Sequence, residues 1–272
     1  MALDLNALWD FGRPEVSEQR FRDALQSATG DQALILRTQI ARTYGLRKDF
    51  EQARRLLAGL EADVPSAGPE ARIRYHLELG RTWASATHPA SLLTTQAQDQ
   101  ARRAYERALE LARAARLDGL AIDTIHMLAF VDRAPADQLK WGEAALAVVL
   151  SSTQPEAQRW EASVRNNVGY ALHQLGRFAE ALGQFQQALA IRERGTNAQA
   201  TRVARWMVAW TLRSLTRDEE ALAMQLALER DADAAGQPDP YVFEELEVLY
   251  KSKGDLARAQ HYAARKAAAS RP

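Results

Sequence analysis

The stretch Asn166–Phe185, NNVGYALHQLGRFAEALGQF, contains two short helical patterns separated at Gly176. Val168, Leu172 and Leu175 recur at i, i+4 and i+7, a spacing that places them on one face of an α-helix. Gly176 is expected to end this helix, because glycine readily takes the left-handed conformation that closes a helix. The stretch therefore predicts two antiparallel helices joined by a tight turn, with Val168, Leu172 and Leu175 facing the core.

The second helix has a small-and-large pattern that suits close packing. Ala181, Phe185, Ala188 and Leu189 mark its apolar face. The small side chains at Gly169 and Ala181 let the two helices approach each other, while Phe185 fills the wider gap beside them.

The same arrangement recurs along the chain. Residues 39–57, 207–225 and 246–263 repeat the spacings, and the equivalent alanines Ala181, Ala221 and Ala259 are 40 and 38 residues apart. Two looser copies lie in the first half. Gly80 and Tyr105 mark one of them, around an insertion at 84–99, and Leu128, Trp141 and Ala144 mark the other. A repeated helix pair is typical of a solenoid, in which each pair buries its face only against its neighbours.

This pattern resembles the tetratricopeptide repeat, a helix-turn-helix unit with small residues, a tyrosine and alanines at set places. The resemblance implies an all-α fold, a right-handed α-solenoid of antiparallel helix pairs, with about six pairs plus an N-terminal capping helix. We predict a single repeat domain over residues 1–272, with a cap or half repeat at 1–30. The helix-pair repeats are expected at 31–63, 70–116, 117–153, 157–197, 200–235 and 240–272.

The two ends of the sequence are expected to cap the stack. Residues 15–28 look like a lone second helix, with Phe21 in the place of Phe185, and Trp9 is expected to cover the exposed end. Near the other terminus, Lys266 stands where inner repeats carry alanine. Solenoids need such polar caps.

The amino-acid composition excludes several classes of protein. Basic and acidic residues number 35 each, so the net charge is zero, which argues against a nucleic-acid partner. The absence of cysteine excludes disulfides and cysteine-ligated zinc. The first residues do not read as a secretory signal, and no apolar run approaches the eighteen residues of a membrane span. We expect a cytoplasmic protein with no cofactor and no membrane contact.

A second stripe of side chains is left over from the core. In tetratricopeptide proteins the first helices line a concave groove, so the resemblance implies that Asn166, Tyr170 and His173 point into it. The matching places in the earlier copies include Arg42, Arg81 and His126, with Thr38, Leu77 and Ile122 one turn before them. We predict that a peptide or protein segment binds to Arg42, Arg81, Asp123, His126, Asn166, Asn167, Tyr170, His173, Trp206 and Trp210.

Each of these groups has a structural alternative. Trp206 and Trp210 lie one turn apart and either contact a partner or are covered by a neighbouring helix. Asn166 and Asn167 either bridge a peptide backbone, as in peptide-binding members of the family, or are surface amides.

The arginines also have two interpretations. Arg42, Arg74 and Arg81 could hold a carboxylate, a phosphate or an acidic side chain through paired hydrogen bonds. Pairing with Glu78 or Asp123 across adjacent helices is the alternative, and we favour it slightly.

Enzymatic function has little support. The sequence holds no HExxH, GxSxG or glycine-rich phosphate loop. Asp123, His126 and His173 could form an open metal site, although a polar groove wall explains them more simply. We therefore predict a non-enzymatic, metal-free interaction scaffold. The alternatives are a self-associating structural or regulatory module, such as a homodimer acting on a separate effector, and more remotely a metal-dependent enzyme.

Overall fold

The computed structural model describes residues 3–269, so Met1, Ala2 and Ser270–Pro272 of the predicted end repeats lie outside the described residues. The described residues form α-helices, with 3-10 turns at Val64–Ser66 and Ala90–Leu92, and contain no strand. They divide into two compact units, Met1–Trp160 (unit 1) and Glu161–Pro272 (unit 2). Within residues 3–269, every helix is too short or too polar to cross a bilayer.

Unit 1 contains nine helices in its described part. They are α1 (Leu5–Leu8), α2 (Pro14–Leu25), α3 (Gly30–Leu46), α4 (Phe50–Ala58), α5 (Pro69–Arg81), α6 (Thr95–Ala114), α7 (Asp118–Val131), α8 (Pro135–Ser151) and α9 (Pro155–Gln158). Helices α3 and α4, α5 and α6, and α7 and α8 pack as consecutive pairs, and α2 packs against α3 as a leading helix. Phe21 of α2 is fully buried, and Trp9 packs against the same core from the amino-terminal side.

Unit 2 contains six helices in its described part. They are α10 (Glu161–Gln174), α11 (Phe178–Arg192), α12 (Ala198–Ser214), α13 (Asp218–Ala234), α14 (Pro240–Ser252) and α15 (Leu256–Ala269). Each helix packs against the next one along the chain. On the last pair, Lys266 forms an ion pair with Glu247. Units 1 and 2 together hold six helix pairs and a leading helix, which confirms the all-α repeat fold predicted from the sequence.

The turn inside a helix pair is built from backbone atoms. In unit 2, Gly176 has a φ of +75°, and the N–H of the following residue, Arg177, donates to the carbonyl of Leu172 at 2.9 Å. This is the hydrogen bond that closes a helix with a left-handed residue. The turn recurs at Lys48, Thr216 and Gly254, each with positive φ and each followed by the same type of bond.

Contacts between a glycine and an aromatic ring set the spacing inside two of the pairs. In unit 1, a Cβ added to Gly80 of α5 would lie 2.4 Å from the Tyr105 ring of α6. Tyr105 is fully buried, and its hydroxyl donates to the carbonyl of Ala84 at 2.6 Å. In unit 2, a Cβ on Gly169 of α10 would lie 2.8 Å from the Phe185 ring of α11. Only glycine allows these approaches.

The predicted core is corrected at two places. Leu175 is 40% exposed, because α10 ends at Gln174 and the chain has already left the helix when it reaches Leu175. In α8 the buried small residues are Gly142 and Ala145 rather than Ala144.

We predict that Gly169→Ala lowers the free energy of unfolding by about 1–3 kcal/mol, because the new methyl group overlaps the buried Phe185 ring. Gly183→Ala is the matched control. It lies on α11 of the same pair and its added Cβ meets nothing within 4 Å, so the change should stabilise the helix by about 0.5–1 kcal/mol. Urea denaturation measures both, and equal effects would contradict the packing argument.

A buried glutamine gives a second prediction. Gln225 on α13 is fully buried, and neither its amide nitrogen nor its amide oxygen has a hydrogen-bond partner among the described residues. Gln225→Met should therefore raise the free energy of unfolding by about 1–2 kcal/mol, since the desolvation cost of the amide disappears.

Gln39 provides the control for this prediction. It is equally buried, but it accepts from Trp9 Nε1 and donates to Thr38 Oγ1, both at 3.2 Å. Gln39→Met should destabilise the protein in the same denaturation experiment. Destabilisation by Gln225→Met would show that its amide is satisfied.

Candidate functional site

Unit 2 carries four aromatic side chains on the first helices of three successive pairs. Tyr170 lies on α10, Trp206 and Trp210 on α12, and Tyr241 at the start of α14. The ring centroids of Tyr170 and Trp210 are 6.1 Å apart and those of Trp206 and Trp210 are 5.6 Å apart, both stacked. Tyr241 meets Trp206 edge-on at 6.3 Å. We call these four side chains the aromatic row.

The ends of the aromatic row are open to solvent. Tyr170 is 44% exposed and Tyr241 is 66% exposed, while Trp206 and Trp210 are half-buried. The buried Nε1 atom of Trp206 has no hydrogen-bond partner among the described residues. Aromatic rings of this kind offer large contact areas at low entropic cost. The row therefore presents apolar surface that unit 2 covers only in part.

His173 packs against the row. Its ring stacks on Trp210 with centroids 3.4 Å apart, and its Nε2 lies 2.9 Å from Ser214 Oγ. Burial, together with the nearby charge of Arg213, lowers the pKa of His173 to about 4. The imidazole is therefore neutral at neutral pH and acts as a flat support for Trp210.

Polar groups flank the row on two helices. Half-buried Asn166 and exposed Asn167 lie about one turn before Tyr170 on α10. On α12, Arg213 donates to both carboxylate oxygens of Glu245, at 2.6 and 2.9 Å. This arginine is therefore held by an internal partner.

Unit 1 joins the predicted arginines to carboxylates. Arg81 donates to Glu78 Oε1 and to Asp123 Oδ1, both at 2.5 Å. Arg42 Nη1 lies 3.8 Å from the same Glu78 oxygen. The intramolecular pairing that the sequence analysis favoured is thus present, while Arg74 pairs with Glu70 instead, at 2.8 Å.

Burial and neighbouring charges shift the pKa values of the groups in this network. Burial acts to lower the pKa of Arg81, but the charges of Asp123 and Glu78 outweigh it and raise that pKa. Burial acts to raise the pKa of Asp123, and the arginines hold it below its usual range. Burial lowers the pKa of His126, so this imidazole is neutral near pH 7.

The network borders a cavity of about 230 Å³ in unit 1. Its lining residues are Ala41, Arg42, Gly45, Leu46, Glu78, Arg81, Thr82, Ser85, Ala86, Thr87, Asp123, His126, Met127, Phe130 and Trp160. The His126 ring lies 5.1 Å from Phe130 and 5.8 Å from Trp160, measured between centroids. Four predicted site residues, Arg42, Arg81, Asp123 and His126, therefore surround one cavity.

Three places that the sequence assigned to the groove are buried instead. Thr38, Leu77 and Ile122 are each at most 1% exposed. These residues are buried because several other helices surround the helix that carries them. Helix α5, for example, packs against α3, α4, α6 and α7. A first helix surrounded in this way has little free surface left.

Sequence reasoning missed two aromatic residues. Tyr241 lies about one turn before Glu244, directly after the helix-starting Pro240, so counting back one more turn would have found it. Trp160 lies just before α10, outside the helical pattern, and no periodicity could have placed it at the cavity. In the part of the chain that the structure describes, no three His, Asp or Glu side chains are grouped as metal ligands.

The lowered pKa of His173 predicts a pH dependence of stability. The unfolded chain takes up a proton near the ordinary pKa of about 6.5, whereas the folded state resists it down to about 4. Stability should therefore fall as pH drops through this window, by about 2 kcal/mol between pH 7 and 4.5.

The measurement compares urea denaturation of the wild type and His173→Gln at both pH values. The variant should lose less stability on acidification than the wild type. The exposed His261→Gln serves as the control and should follow the wild type. Parallel pH profiles for all three proteins would contradict the assignment.

Comparison with known proteins shows which part of the chain matches a known repeat and which solved structures share its fold. Residues 160–228 match the family model of the tetratricopeptide repeat. No curated protein matches the chain in sequence. A STAND protein (signal transduction ATPase with numerous domains) from Pyrococcus horikoshii, which has a tetratricopeptide repeat sensor, superposes with a TM-score of 0.71 at 13% identity, over 94% of this chain.

The apo form of RapI superposes with a TM-score of 0.62 at 15% identity, over 86% of this chain. This chain spans 39% of the Pyrococcus protein and 64% of RapI. At such identities the likeness concerns the fold. The matched family model covers residues 160–228, and the likeness in fold extends over most of the chain.

Proposed function

We propose that this protein is a non-enzymatic interaction module that binds an extended peptide or protein segment along the aromatic row of unit 2. The observation that carries the proposal is the row itself. Four rings from three first helices lie in contact, and the two end rings are exposed. Partly exposed aromatic clusters on a rigid scaffold are typical of binding hot spots.

The chemistry of the row suits an extended segment. Apolar side chains of the segment would pack on Trp206 and Trp210, and Tyr241 would extend this contact at one end. The amides of Asn166 and Asn167 lie beside Tyr170 and can exchange hydrogen bonds with backbone N–H and C=O groups. Arg213 is held by Glu245 and would contribute little to binding.

Two further observations support a binding role. His173, the histidine nearest the row, is stacked on Trp210 and bonded to Ser214, an arrangement that supports a ring rather than proton transfer. The Pyrococcus protein that shares the fold carries its repeats as a sensor. A recognition role for the repeats of this chain accords with that arrangement.

The test uses peptides selected from a random display library against the full chain. Tyr241→Ala and Tyr170→Ala should each weaken a selected peptide about tenfold, as expected for hot-spot rings. These exposed side chains can be removed with little loss of stability. Trp210→Phe, which keeps a ring against His173, should weaken binding less than Trp210→Ala. Calorimetric titration measures each Kd.

Trp141→Ala is the matched control, because this tryptophan lies in unit 1 and donates to Asp132 there. It should bind the selected peptides as the wild type does. If the row variants and the control bind alike, the assignment of the row fails.

Light scattering distinguishes peptide binding from self-association of the chain. A concentration-dependent dimer lost in Tyr241→Ala would make a second copy of the chain the occupant of the row.

A further inference from the structure

The cavity of unit 1 has its own chemistry, separate from that of the aromatic row. Its charged lining residues come from α3, α5 and α7, and it is completed by the segment after α5 and by Trp160. Its volume of about 230 Å³ suits a small organic molecule better than a folded partner.

Arg42 is the charged group in this lining whose hydrogen-bonding capacity is least used. Within residues 3–269, its acidic neighbour is Glu78, and the separation of 3.8 Å exceeds hydrogen-bond length. Its guanidinium also stacks near Trp9 and Phe11, at 5.3 and 5.2 Å from their ring centroids. The side chain is therefore held in place by aromatic rings while its N–H donors remain available.

Each of the other charged groups in the lining forms at least one close hydrogen bond, although Glu78 Oε2 has no partner among the described residues. Arg81 bonds to Glu78 and Asp123 at 2.5 Å. Burial and the like charge of Arg81 lower the pKa of Arg42, and the charges of Glu78 and Asp123 offset this only in part. An added negative group at Arg42 would relieve this cost.

The same lining limits the charge of a ligand. Glu78 and Asp123 place two carboxylates beside the cavity, and these would repel a dianion such as phosphate. A single carboxylate matches the planar donor fork of arginine. The remaining walls are largely apolar, with Met127, Phe130 and Trp160 among them.

We propose that the unit 1 cavity binds a small amphipathic monocarboxylate. Arg42 pairs with the carboxylate group, and Phe130 and Trp160 pack against the aromatic or branched aliphatic body. The site is independent of the aromatic row, so either assignment can fail without the other.

The test titrates the full chain with phenylacetate, hydrocinnamate and isocaproate by calorimetry. At least one acid should bind, and its neutral amide should bind about tenfold more weakly or not at all, because the amide lacks the charge that Arg42 recognises. Inorganic phosphate and phenethylamine, tested in the same way, should bind more weakly than the acids. Failure of all three acids at millimolar concentration, or equal binding of acid and amide, overturns the proposal.

Variants of Arg42 test whether this residue binds the carboxylate. Arg42→Gln should weaken the binding acid about tenfold, whereas Arg42→Lys, which keeps the charge, should retain part of the affinity. Arg47→Gln is the matched control, since Arg47 directly follows the same helix as its C-cap and pairs with Glu18 outside the cavity. Circular dichroism checks that each variant is folded. Unchanged affinity in a folded Arg42→Gln would overturn the assignment, and so would tighter binding of phenethylamine or phosphate than of any acid.

Discussion

The structure depends on the distance between the two helices of a pair. In two pairs this distance is set by a glycine, which has no side chain to hold the helices apart. Gly80 faces Tyr105 in unit 1, and Gly169 faces Phe185 in unit 2, each too close for a methyl group. The ring of the second helix occupies the space that a side chain on the first helix would otherwise take. Each ring is buried to 1% exposure or less, so the contact is part of the core. Side chains on the remaining faces of the first helices take no part in this contact.

The two units use those faces differently. In unit 2 several of these side chains form a row of aromatic rings in contact, from Tyr170 to Tyr241, with both ends exposed. In unit 1 the corresponding side chains are ionic, and Arg81 bonds to two carboxylates beside a cavity. One repeat architecture therefore carries a partly exposed row of aromatic rings in one unit and a charged network beside a cavity in the other. The chemistry of each follows from a few residues on the first helices.

The sequence predicts the helix pairs well where the spacing of core residues repeats clearly, as it does in residues 166–185. Val168 and Leu172 are buried as expected, whereas Leu175 lies past the helix end, where periodicity no longer directs a side chain. In α8 the buried alanine is Ala145, one residue after the predicted Ala144. Helices α7 and α8 are joined without the left-handed turn that fixes the register in other pairs. The burial of Thr38, Leu77 and Ile122 depends on how many helices surround each first helix, which a single repeat does not encode. The partner choice of Arg81 was foreseeable from charge, but the cavity beside it was not.

The turn at Gly176 has a consequence for how such chains diverge. Its closing hydrogen bond joins two main-chain groups, and lysine, threonine and glycine all occupy the equivalent left-handed position. The bend needs a residue that tolerates positive φ, glycine with the least strain, but it needs no contact from that residue's side chain. The Pyrococcus protein superposes over 94% of this chain at 13% identity, so very different sequences are compatible with this one architecture. The fold of such an array is therefore easier to recognise by superposition than by sequence alignment.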